Sequence, residues 1–135
     1  MNTPGRIVLD TSAYSHLRGG DERVADAIAE ARTVYVSVVT LGELEAGFVL
    51  GSRSAENRAR LAEFLSAPFV AVLPITPDVS RVYGRLFAQL RRAGTPIGLN
   101  DIWIAASTID SGAQVITFDA DFQKIAGLDL HLMSG

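Results

Sequence analysis

Four acids in this chain stand where apolar runs end or begin. Asp10 closes Ile7-Val8-Leu9, Asp119 follows Val115 to Phe118, Glu43 lies just past Val34 to Val39, and Asp101 opens Ile102 to Ala106. Carboxylates gathered into one pocket repel, because burial and like charge both disfavour their ionised forms. A hard divalent cation relieves that strain, and Mg2+ takes a few carboxylate oxygens while keeping its own waters. An ion held this way activates water, orients a phosphate and neutralises charge on a leaving oxygen, which is the chemistry of phosphodiester hydrolysis. Little else is on offer. With no cysteine and only His16 and His131 as imidazoles, thiolate zinc sites, disulfides and a cysteine nucleophile are excluded. The sequence also lacks an HExxH, a GxSxG elbow, a P-loop and a GxGxxG turn.

Each acid also has a plain structural reading. Asp10-Thr11-Ser12 could form an Asx turn into a helix, and Thr40-Leu41-Gly42-Glu43 matches a capping box. Asn100-Asp101 could cap a helix, and Asp119 and Asp121 could be loop acids. Those readings leave unexplained why an acid ends an apolar strand and why all four would share one rim.

The elements that must position them alternate strand and helix. Strands are expected at Arg6 to Leu9 (bounded by Pro4-Gly5), Val34 to Val39, Phe69 to Leu73, Gln114 to Phe118 and Asp129 to Leu132. Between them fall a helical turn over residues 12–18, a helix from Asp21 to Arg32 and another from Thr40 to Leu50. Amphipathic helices follow over Ser54 to Ser66, with Leu61, Phe64 and Leu65 inward, and over the segment after Thr76-Pro77, which ends at Gly94. A mostly buried helix spans Asn100 to Ser111, and a short turn covers Asp121 to Ile125. The alternation predicts one α/β domain: a mostly parallel sheet of four to five strands with helices on both faces. In such sheets the ligand site lies beyond the carboxyl ends of the strands, where these acids fall.

At 135 residues the chain fits one domain, and no apolar run approaches the roughly 18 residues of a membrane span. Residues 1–6 do not open like a signal peptide, so the expected compartment is the cytoplasm. Hydrophobic residues make up 48% and mean hydropathy is +0.24, which suits strands buried on both faces or a surface covered by a partner. A net charge of −3 denies the chain a general field for nucleic acid. Its cations are almost all arginine, clustered at Arg53, Arg58 and Arg60 and at Arg81, Arg85, Arg91 and Arg92. They could grip phosphate or simply solvate helix faces.

Four blocks of the sequence resemble the PIN domain, and specifically the VapC-type toxin. They are Val8-Leu9-Asp10-Thr11-Ser12, Ser37 to Leu44, Leu99-Asn100-Asp101-Ile102-Trp103-Ile104-Ala105-Ala106, and Ile116-Thr117-Phe118-Asp119-Ala120-Asp121-Phe122. The resemblance implies one PIN domain over residues 1–135 and an endoribonuclease that cleaves structured RNA such as tRNA or rRNA, needing Mg2+ or Mn2+. It implies Asp10, Glu43, Asp101 and Asp119 as the catalytic and metal-binding set, with Asp121 either a secondary ligand or a turn cap. It further implies a homodimer, and a cognate antitoxin that sets a basic group into the acidic pocket. The Thr11 and Thr117 hydroxyls could hold the site, but turn bonds to backbone are the commoner use. A catalytically silent PIN-like module that binds RNA or a protein is the competing reading, and the complete acid set argues against it.

Aspartyl phosphatase chemistry would want an aspartate where Ser12 stands, and a phosphorelay receiver would want one at Leu73. Trp103, Tyr83 and Phe87 are expected to pack in a core or a dimer rather than meet RNA, and His16 to lie at the surface near Asp10.

Overall fold

Ile7, Val8 and Leu9 are buried in the middle strand of a five-stranded parallel sheet. The computed structural model describes residues 5–135, and the Pro4 boundary expected before the first strand lies outside them. The strands are β1 (Arg6–Leu9), β2 (Thr33–Ser37), β3 (Val70–Leu73), β4 (Gln114–Thr117) and β5 (Leu130–Leu132). Their spatial order is β3-β2-β1-β4-β5, and all four pairings are parallel. Leu9 stands opposite Ile116, so Asp10, just past β1, and Thr117, the last residue of β4, emerge side by side.

Six helices surround the sheet among the described residues: α1 (Thr11–Arg18), α2 (Glu22–Glu30), α3 (Val38–Leu50), α4 (Ser54–Leu65), α5 (Pro77–Ala93) and α6 (Leu99–Ser111). Side chains alternate along a strand, so each strand feeds two cores. Val8 and Val115 face α5 and α6, packing with Val79, Leu86, Leu90, Ile102 and Phe122. Ile7, Leu9, Val34 and Ile116 face the other way, with Ala13, Val24 and Val70. A third cluster joins Tyr14 of α1 to Leu44 and Phe48 of α3 and Leu61 of α4. Helices therefore cover both faces, as the alternating pattern predicts.

Local signals explain most boundaries. Asp21 caps α2 by accepting from Arg23 N, and Thr76 caps α5 by accepting from Val79 N, with Pro77 at the first helical position. Gly94 ends α5 at φ 70°, a left-handed residue that a side chain would strain. The second strand is shorter than expected. It ends at Ser37, whose hydroxyl accepts from Val39 N, so Val38 and Val39 open α3 instead of extending the strand. That also overturns the capping box: Thr40 is buried inside α3, and its Oγ1 has no hydrogen-bond partner among the described residues. Likewise α6 begins at Leu99 with Gly98 at the cap position, so Asn100 does not cap it.

Candidate functional site

The expected acids meet at the carboxyl ends of β1 and β4. Asp10, the first residue past β1, caps α1 and is only 3% exposed. Its Oδ1 accepts from Ala13 N at 2.8 Å and from the Ser12 hydroxyl at 2.7 Å, and its Oδ2 accepts from the Thr117 hydroxyl at 2.5 Å. Thr117 Oγ1 in turn accepts from Asp119 N at 3.0 Å, and Ser12 Oγ accepts from Phe118 N at 2.9 Å. Two hydroxyls thus stitch the end of β1 to the end of β4. Burial pushes the Asp10 carboxyl above its ordinary value; the three donors work against that shift, and the charge of Asp119 adds to it.

Glu43 comes from the second turn of α3. Its Oε1 accepts from the Thr11 hydroxyl at 2.5 Å and its Oε2 from the Asn100 amide at 3.5 Å. Asp101, in the first turn of α6, lies among the rest. Its carboxyl is pushed up to about 7, first by burial and then by the charges of Asp119, Glu43 and Asp10, and it shares a hydrogen bond with Asp119. All four segments therefore bring charge to bear on one acidic focus, although Asp10 and Glu43 are not among the carboxylates that lie within 4.8 Å of one another. Asp119 caps a 3-10 turn over Ala120–Lys124 that contains Asp121, and Asp119 Oδ1 accepts from Asp121 N at 2.9 Å. One carboxylate oxygen from each of Asp101, Asp119 and Asp121 lies within 4.8 Å of the others, close enough to share a cation. Asp121 also pairs with Lys124 at 3.0 Å, on the exposed side of the turn.

The Thr11 and Thr117 hydroxyls do more than the turn bonds favoured by sequence alone, since each donates to an acid from a distant segment. His16 is likewise not a simple surface residue. Its ring stacks on Phe118 with centroids 3.6 Å apart and planes within 7°, while its Nδ1 lies 3.6 Å from Asp21 Oδ2. No local pattern announced that contact, which joins α1 to the residue just past β4. Trp103 stacks on Tyr83 at 3.8 Å, as a packing role predicts, yet it remains half-buried. Of the arginines, Arg58, Arg60 and Arg81 are tied to Glu45, Glu56 and Asp78. Such exposed pairs contribute little to stability.

The proton on Asp101 has a thermodynamic consequence. Between its ordinary value of 3.8 and the folded value near 7, the folded chain keeps a proton that the unfolded chain has released. Stability of the metal-free protein must then fall as pH rises from about 4 to about 7. Asp21, held down at about 2 by Arg23, acts with the opposite sign but only below its ordinary value of 3.8. Thermal melts in a chelating buffer across this range should therefore show a declining Tm. A Tm that is flat or climbs from pH 5 to pH 7 would contradict the crowded acid focus.

Comparison with known proteins agrees with this geometry. The PIN domain family model matches residues 7–128. Ribonuclease VapC5 of Mycobacterium tuberculosis is 37% identical over 126 residues, 93% of this chain and 91% of that protein. The solved structure of VapBC2 from Rickettsia felis, bound to a DNA fragment from their promoter, superposes with a TM-score of 0.85 at 25% identity, covering 96% of this chain and 99% of that one. VapBC-5 from Mycobacterium tuberculosis, a member of the VapBC family of toxin-antitoxin systems, gives a TM-score of 0.72 at 31% identity, with 98% and 100% covered. A family match over most of the chain, a sheet of the same build and an acid focus at its strand ends agree: the chain belongs to the PIN-domain family, among the VapC ribonucleases.

Proposed function

We propose that the chain, taken over residues 1–135 as one PIN domain, is the endoribonuclease toxin of a toxin–antitoxin pair, and that it cuts structured RNA such as tRNA or rRNA. The observation that carries this reading is the convergence of Asp10, Glu43, Asp101 and Asp119 from four separate segments, with Asp101 lifted to about 7 first by burial and then by the charges of the other three. The donors fit a hard divalent ion: they are all carboxylate oxygens, their mutual repulsion asks for positive charge, and no histidine belongs to the cluster. Mg2+ is the ion we assign, with Mn2+ able to replace it. Asp10, Asp101, Asp119 and Glu43 would hold it, and Asp121 offers a further oxygen.

When bound, the ion supplies charge that polarises the phosphodiester and eases deprotonation of the attacking water. The chain's own part is orientation. Thr117, Ser12 and Ala13 N fix both oxygens of Asp10, while Thr11 and Asn100 aim Glu43. Attack on phosphorus is in line, with no covalent enzyme intermediate. A chain of net charge −3 draws RNA only locally, through the ion and rim arginines, so cleavage falls with added salt only in proportion to those few phosphate contacts.

The same acidic pocket suits an antitoxin that lays a guanidinium across it, because arginine pairs bidentately with carboxylates. The toxin is assigned as a homodimer acting in the cytoplasm. Among the described residues no helix is long and apolar enough to cross a membrane.

A chelator-sensitive cleavage assay on total RNA tests the activity, and the melting temperature tests the ion. Binding to the folded state alone raises stability by about 2.7 kcal/mol at a hundredfold excess over Kd. Millimolar Mg2+ should then raise Tm by several degrees at pH 7.5. RNA left intact with Mg2+ present, or a Tm indifferent to the ion, would remove the basis of the proposal.

A further inference from the structure

Beside the acid focus, and sharing Glu43 with it, lies an open pocket of about 540 Å3 between α3 and α6. Val39, Gly42 and Ala46 of α3 form one wall, Asn100 and Trp103 of α6 the other, and Ile75 closes the end. We infer that this pocket receives the nucleobase next to the scissile phosphate, and so reads sequence at the cut. The inference rests on the ribonuclease reading for its substrate and deepens it.

Three features favour a base over another occupant. The first is continuity. Glu43 belongs to both the acid cluster and the pocket lining, and Asn100 precedes Asp101 in the chain. A phosphate at the acids therefore carries its own nucleotide to the pocket mouth. The second is the lining, which is apolar and aromatic except for one amide and one carboxylate. Unstacked RNA bases are held by such walls and read by groups placed at their edges. Trp103 is braced from behind by Tyr83 at 3.8 Å, which fixes the indole before any ligand arrives. Asn100 offers an amide donor and a carbonyl acceptor side by side, the pattern that pairs with a base edge.

The third is the bare position in the α3 wall. Gly42 sits in a helix, where glycine is a poor choice, yet a Cβ added there would meet nothing within 4 Å. Packing does not demand glycine at this position. Keeping the pocket open does, because a longer side chain at 42 would project into the space a base needs.

Trp103 is the only tryptophan, so the indole emission comes from a residue of this pocket's wall. Titration with the four nucleoside 5′-monophosphates should change its emission saturably and to different extents, whereas ribose 5-phosphate, which lacks a base, should leave it unchanged. Gly42→Leu, a change that favours the helix, should weaken the response about tenfold or more, and Asn100→Ala should narrow the differences between bases. Emission indifferent to all four nucleotides, or unchanged affinity in Gly42→Leu, overturns the inference. So does a Gly42→Leu variant whose only effect is a change of mass in light scattering, for then the pocket seats a second copy of the chain. RNA cleavage by the same preparation separates the two proposals. Cleavage without a base response sinks the pocket and spares the nuclease. A base response without chelator-sensitive cleavage sinks the nuclease and leaves a nucleotide site.

Discussion

Asp101→Asn should fold, melt higher than the parent in metal-free buffer at pH 8, and cut RNA about a thousandfold more slowly, which corresponds to about 4 kcal/mol of transition-state stabilisation. Both directions come from one fact. Asp101 is the acid most penalised by its surroundings, pushed to about 7 by burial and by Asp119, Glu43 and Asp10. Asparagine keeps the shape and removes the charge, so the like-charge repulsion on its neighbours is relieved. Each 1 kcal/mol so recovered moves Tm by about 4 °C in a domain of this size. The same substitution deletes an oxygen from the cluster that would hold the ion, so the Mg2+-induced rise in Tm should shrink with the activity. The decline of Tm between about pH 4 and pH 7 should also flatten, because its chief proton is gone. Cleavage rate, metal-free melting and the pH slope are three readouts of one side chain. A variant that cleaves at the parental rate would dismiss Asp101 from the site, whatever its melting behaviour.

Thr117→Val should be the most damaging near-isosteric change outside the acids. Valine suits a strand as well as threonine does, so β4 itself is not the casualty. The loss is the hydroxyl, which donates to Asp10 Oδ2 at 2.5 Å and accepts from Asp119 N at 3.0 Å. Leaving a buried carboxylate short of a donor and an amide short of an acceptor costs about 2–3 kcal/mol, or about 8–12 °C in Tm. Asp10 would also move further above its ordinary value, since the strongest bond holding it down is removed. The deficit relative to the parent should therefore widen with rising pH. Activity should fall about 10- to 100-fold, the usual consequence of freeing a ligand from its orienting partner. Thr117→Ser restores the hydroxyl and should recover most of both losses. Equal behaviour of the valine and serine variants would mean that the hydroxyl does not act through Asp10.

The features legible in the sequence are the local ones. Asp21, Thr76-Pro77 and Gly94 declare helix ends because each acts on backbone groups a few residues away. Asp10 stands out because an acid after three buried aliphatics has no packing reason to be there. The β2 to α3 boundary was hidden, since Val38 and Val39 extend the β-branched run while the deciding bond is the small one from Val39 N to Ser37 Oγ. Thr40 and Glu43 carry the letters of a capping box, but Ser37 had already capped the helix, which left Glu43 free to meet Thr11. The partners of Glu43 and Asp10, and the stacking of His16 on Phe118, depend on which strand lies next to β1. Spacing along the chain carries no such information. It emerges only with the register that sets Leu9 against Ile116.

That register ties residue 10 to residue 117, a sequence separation of 107. During synthesis the earlier part of the chain can pair β1 with β2 and β2 with β3, yet Asp10 waits for its hydroxyl partner and for Asp119 until β4 has left the ribosome. The acid focus is thus complete only when α6 and β4 have joined β1, and the capacity to cut cannot precede them.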